Sequence, residues 1–261
     1  MTPRIAAAAL ATVLLGPWVN VPGEARCAAD AAPRQETTLA IEEEATRAIA
    51  SDDYPFTAWT DLVARLRRAS GQAPDAEAAG RLALLWLRGL RRLLAAIPMD
   101  GAQRPPYRDW IAANERIALY SEPAGAFLIV PELIWRVHDA HRATASAEAI
   151  AWLATENGLS GECEGYVPCY AHGLDRLFGE YLRSHPQGKH GPEAALAIQE
   201  SCEQSLRLLS GPDGSEFLDV TRDCAELSLR LDAIRHALVA STASRRFEAI
   251  ASLDQIRAFC P

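Results

Sequence analysis

Seven residues between Phe217 and Leu238 alternate at spacings of three and four: Phe217, Val220, Cys224, Leu227, Leu231, Ile234 and Leu238. Only a helix gathers such a run on one face, because neighbouring strand residues point to opposite sides of a sheet. The spacing recurs at Ala195, Ile198, Cys202, Ser205 and Leu209, while Leu174, Leu177, Phe178, Tyr181 and Leu182 fall at i, i+3, i+4, i+7 and i+8 of another helical face. Gly211-Pro212-Asp213-Gly214 separates two of these runs with a turn signal. The chain therefore reads as all-α: antiparallel helix hairpins in an irregular bundle, with no convincing strand.

Upstream the same logic places helices from Thr37 to Ala50, along the face of Phe56, Trp59, Leu62, Val63 and Leu66, and from Asp75 to about Ile97. The last is the most apolar, with Leu82, Leu85, Trp86, Leu90, Leu93 and Ile97 in one stripe and Arg81, Arg88 and Arg92 opposite. A further helix is expected from Tyr107 to Tyr120, with Trp110, Ile111 and Ile117 inward. Phe127 to Val130 has the composition of a buried strand, but Pro131 favours helix entry there. Trp59, Trp86, Trp110, Trp135 and Trp152 fall about one to a helix and read as core anchors.

The N-terminus speaks to location. Arg4 precedes the apolar run Ile5 to Leu15, which Gly16-Pro17 breaks before small residues at Ala25 and Ala31. This is the layout of a secretory signal peptide, and the run falls short of the roughly twenty apolar residues of a membrane span. We assign residues 1–25 to the signal, 26–35 to a lead-in and 36–261 to one helical domain, divisible into 36–143 and 144–261. Cleavage after Ala25 keeps all six cysteines, and cleavage after Ala31 leaves five. The formal charge of −8 argues against a nucleic-acid partner.

In an exported chain Cys27, Cys163, Cys169, Cys202, Cys224 and Cys260 are disulfide candidates concentrated in the C-terminal half. Cys202 and Cys224 are equidistant from Asp213 on the apolar seam, which makes them the expected bridge; Cys224–Cys260 competes with it about the turn near Thr242. Cys163–Cys169 would close a local loop.

The stretch from Ser146 to Gly191 organises the rest: a helix that Ser146 can cap and Asn157-Gly158 stops, the cysteine-bounded loop Cys163 to Cys169, a second helix, and a restart at Gly191-Pro192-Glu193. Within it Tyr181, Leu182, Pro186, Gly188, Glu193, Ala194 and Ala195 resemble the helix–turn–helix junction of tetratricopeptide-like repeats in periplasmic proteins, of the Tol–Pal coordinator and outer-membrane assembly lipoprotein classes. The resemblance covers this one junction and implies a scaffold that stacks helix pairs to bind other proteins.

Chemistry has few places to reside. Cys163 is flanked by Glu162 and Glu164, whose charge disfavours a thiolate. Cys163, Cys169 and His172, with His185 or His190, carry zinc-type donors at a spacing that matches no strong template. His138 and His141, three apart, read as a partly exposed surface pair. Glu162 and Glu164, with His172, are the candidates for acid–base work, and no nucleotide, haem or hydrolase motif is present. We therefore expect no cofactor and a noncatalytic envelope protein with an unidentified protein partner, bound beside Tyr166, Tyr170 and Tyr181. The alternative is an enzyme or metal-binding protein centred on the Cys163–His172 loop.

Overall fold

The computed structural model describes residues 37–158 and 161–260. The expected signal segment (residues 1–25) and Cys27 lie outside these residues. The described chain is all-α apart from one two-stranded sheet. Its first half contains α1 (Thr38–Ile49), α2 (Phe56–Gly71), α3 (Ala76–Ala95), α4 (Tyr107–Ala113), β1 (Ala118–Ser121), β2 (Ala126–Ile129), α5 (Pro131–Ala140) and α6 (Ala147–Asn157). The second half contains α7 (Val167–Leu174), a π-helical stretch (Asp175–Gly179) running into α8 (Glu180–Ser184), then α9 (Gly191–Leu209), α10 (Gly214–Phe217), α11 (Val220–Ala240) and α12 (Arg246–Arg257).

Local chemistry explains many of the boundaries. Thr37, Asp75 and Asp219 accept backbone N–H bonds at the starts of α1, α3 and α11, meeting donors that a first helical turn leaves unpaired. Pro131 opens α5, where the missing N–H costs nothing. Ser146 flanks α6 without making a capping bond, contrary to expectation. Asp219 also truncates the heptad run: Phe217 belongs to α10, and Val220 is exposed at the start of α11.

The expected helix from Tyr107 to Tyr120 ends instead at Ala113, and β1 pairs antiparallel with β2, Ala118 opposite Ile129 and Ser121 opposite Ala126. Asn114 turns the chain by donating its side-chain amide to the Trp110 carbonyl and accepting from Ala118 N–H on its own carbonyl. Strands of four residues are too short to show alternation. Asn157, read from sequence only as a helix stop, acts like a third strand. Its amide donates to the Ile129 carbonyl (2.8 Å) and accepts from the Ile129 N–H (3.1 Å).

The apolar core has two clusters, drawn from residues 41–154 and 151–256 and adjoining along α6. Leu62, Leu82, Leu87 and Leu90 are buried in the first, and Ala195, Ile198, Leu231 and Leu253 in the second; each buried leucine or isoleucine contributes about 1.5–3 kcal/mol. Trp59 and Trp86 are buried, whereas Trp110, Trp135 and Trp152 are half-buried, and Trp135 packs on both clusters. The arginine edge of α3 is tied down in part: Arg81 meets Glu42, Arg91 meets Glu156, and Arg92 donates to the Ile49 carbonyl.

Two disulfides staple the C-terminal half, Cys163–Cys169 and Cys224–Cys260. The expected Cys202–Cys224 bridge is not formed, and Cys202 is a buried thiol at 0% exposure. The reason is helix order. α10 interrupts the anticipated hairpin, so α9 packs against α12 while α11 packs against α12 and α7. The α11–α12 connection is also pinned to the α8–α9 junction, where Thr242 N–H donates to the Pro186 carbonyl (2.8 Å).

Candidate functional site

The loop that sequence singled out is rigidly built. The Tyr166 N–H donates to the Cys163 carbonyl (2.7 Å), and the Cys163–Cys169 bond closes the same turn with its Cα atoms 5.4 Å apart. Glu164 and Gly165 both take positive φ, 45° and 88°. At Gly165 a side chain is excluded twice, by that φ and by the Phe217 ring, which a Cβ would meet at 2.7 Å.

This loop forms one wall of a groove of about 430 Å³; α5 supplies the other. The Cys163–Cys169 disulfide, His172 and Arg176 face Glu132 and Trp135 across it, and Arg176 reaches Glu132 at 3.2 Å. Glu162 and Glu164 are exposed and do not line the groove, so His172 is the one of the three acid–base candidates that reaches it. The sulfurs of Cys163 and Cys169 are bonded to each other, which removes both the nucleophile and the thiolate ligands. Among the described residues no three His, Cys, Asp or Glu side chains gather in a metal-holding group.

The tyrosines separate. Tyr166 is half-buried beneath the Arg222 guanidinium, 5.9 Å from the ring centre, and its hydrogen bond to Asp223 pushes its phenol pKa up. Tyr170 is half-buried. Tyr181 is 0% exposed and so cannot serve as binding surface; it is the centre of a buried polar knot.

In that knot Tyr181 donates to Glu148 (2.9 Å) and accepts from the His190 N–H (3.1 Å), while the Lys189 N–H donates to the same carboxylate (2.6 Å). Burial raises the Tyr181 pKa, with the Glu148 bond adding to it. For Glu148 burial pushes upward, but the bonds from Tyr181 and the backbone N–H groups outweigh it and hold the carboxyl below its ordinary range. The His190 ring lies flat on Trp152, with centroids 4.4 Å apart and planes within 8°. The junction between α8 and α9 is thus locked from inside by Tyr181.

No family model, curated protein or solved structure matches the chain.

Beside the knot, His138 departs from its expected surface role. It is 1% exposed, with Nε2 3.0 Å from His185 Nε2 and Nδ1 3.1 Å from Asp139 Oδ1. His138 also packs its ring edge-on against Trp135, which lines the groove. A neutral pair satisfies both contacts when His138 carries its proton on Nδ1 and His185 donates from Nε2. With both rings doubly protonated, two N–H donors would meet nose to nose. Burial, and then the charge of His138, lower the His185 pKa; Glu148 opposes this and Arg142 reinforces it.

The pH dependence follows. The folded state resists protonation of His185 that the unfolded chain accepts near its ordinary pKa of about 6.5, so stability is complete above that pH and falls as pH drops through it. Glu148 and Asp139, whose pKa values are lowered, lose their contributions only in the more acidic carboxylate range. Urea unfolding at a series of pH values is expected to show a decline beginning near pH 6.5 that is shallower in His185→Gln, the part that remains coming from His141, whose pKa burial also lowers. An equal decline in that variant would remove the pair as its source.

Sequence also gave no warning of Asp175. The π-helical stretch turns this carboxylate inward, where Arg183 (2.7 Å) and Arg230 (3.3 Å) clasp it and join α8 to α11.

Proposed function

We propose that the protein is an exported, noncatalytic helical scaffold of the bacterial cell envelope that binds another protein through the groove between α5 and the Cys163–Cys169 loop. The observation that carries this reading is the groove's construction. Its walls are braced by a disulfide and by the Arg176–Glu132 bridge, Trp135 lies half-exposed within it, and Glu162 and Glu164 turn away. A preformed, partly aromatic surface suits recognition, because little order has to be gained on binding.

Export is supported by Arg4, the apolar run to Leu15 and the small residues that follow, and by the two disulfides. No helix among the described residues is long and apolar enough to cross a membrane. The junction from Tyr181 to Ala195, in its resemblance to tetratricopeptide-like scaffolds, supports the same role.

The test is site-specific photocrosslinking in the native cells. A benzophenone amino acid placed at His172 is expected to give one discrete protein adduct, and the same group at exposed Gln255 on α12 none. Absence of an adduct at His172, or identical adducts at both positions, would reject the groove as the interface.

A further inference from the structure

A second cleft lies in the first half of the chain, remote in sequence from the disulfide loop, and its chemistry differs. It encloses about 460 Å³ between α2 and α4 above α3, within the size range of small-molecule sites. Val63, Trp86, Trp110 and Ile117 supply apolar surface, and Arg67 and Arg68 supply its charge.

Three observations belong together. No aspartate or glutamate lines this cleft, although the chain carries 34 acidic residues against 26 basic ones. Neither Arg67 nor Arg68 has an ion-pair partner among the described residues, whereas Arg65, from the same helix, is held by Glu44 and Asp61. The third is the Trp86 indole. It is 6% exposed, it lies under the Arg67 guanidinium (5.5 Å to the ring centre), and its buried Nε1–H has no acceptor.

A cation in the last turn of α2 complements the negative end of the helix, which is reason enough for one arginine there. It does not explain the exclusion of carboxylates from a cleft walled by Trp86 and Trp110. Two guanidinium groups without ion-pair partners beside apolar walls form a receptor for an anion with an apolar body. We infer that the α2–α4 cleft binds a small organic carboxylate, with Arg67 and Arg68 receiving the carboxylate and Trp86 and Trp110 packing on the hydrocarbon. An inorganic oxyanion would leave the aromatic walls unused.

Titration calorimetry on the exported protein tests this with three probes: 4-phenylbutyrate, its neutral amide and inorganic phosphate. Phenylbutyrate is expected to bind one per chain, the amide and phosphate each at least about tenfold more weakly. The double variant Arg67→Gln/Arg68→Gln, altered only at exposed side chains, is expected to lose about tenfold or more for the carboxylate while keeping its melting temperature. A ¹H–¹⁵N spectrum gives an independent reading, because the Trp86 indole resonance, assigned by its loss in Trp86→Phe, should shift on titration. Equal binding of amide and carboxylate, unaltered binding by the double variant, phosphate binding as tightly as phenylbutyrate, or no saturable binding would each overturn the inference.

Discussion

Tyr181→Ala is expected to lower the unfolding free energy by about 3–5 kcal/mol, the range for deleting a large buried ring. Two costs combine. The ring is fully buried, with Trp152 edge-on at 5.2 Å and His185 at 5.9 Å, so its removal leaves a cavity in the second core cluster. The hydroxyl is also the hub between Glu148 and the His190 N–H, and both would lose a partner inside the protein. Tyr181→Phe separates the two contributions: it keeps the ring and removes only the hub, for an expected loss of about 1–3 kcal/mol. Urea unfolding of the pair checks this. A Phe variant as unstable as the Ala variant would mean that the hydroxyl network, not packing, dominates the site.

Removing the Cys224–Cys260 bridge as Cys224→Ser/Cys260→Ser is expected to cost about 4 kcal/mol, and removing Cys163–Cys169 in the same way about 2 kcal/mol. The difference arises in the unfolded chain, where a bridge between residues 36 apart restricts more conformations than one between residues 6 apart. The longer bridge also holds the end of α12, whose Ala249, Leu253 and Ile256 bury against the second cluster. Thermal unfolding gives the ranking, and hydrogen exchange should show α12 opening first in the weaker protein. If the two variants lose equal stability, loop length is not what sets the value of these bridges.

The helices were legible because each carries its own periodicity. Ala195, Ile198, Cys202, Ser205 and Leu209 are all buried as their spacing requires, and no partner helix need be known to see it. What depended on neighbours was not legible. Cys202 and Cys224 share the right distance from a turn, but α12 takes the place beside α9, and no local pattern announces that. The β1–β2 hairpin hid for a different reason: four residues per strand give too little alternation, and Asn157, which completes its edge, lies 28 positions from Ile129. The candidate site divides the same way. The tight loop was legible from Cys163 and Cys169, whose bridge the sequence offered as one possibility among several. The contact of His138 with His185 spans 47 positions, and two histidines at that separation look unrelated on the page. Tyr181 misled because an aromatic near a turn resembles surface until the Glu148 carboxylate beneath it is seen.

The unpaired Cys202 gives the molecule an internal clock. Its thiol is sealed in the seam between α9 and α12, and burial pushes its pKa up to about 12. A thiol reagent that attacks the thiolate therefore finds almost none while the seam is shut. Modification of this sulfur therefore reports on opening of the second core cluster, and its rate becomes the opening rate when the reagent outpaces reclosing. In an oxidising compartment the same seal protects the pairing of Cys224 with Cys260, since a buried sulfur cannot exchange with its neighbours while the seam is shut.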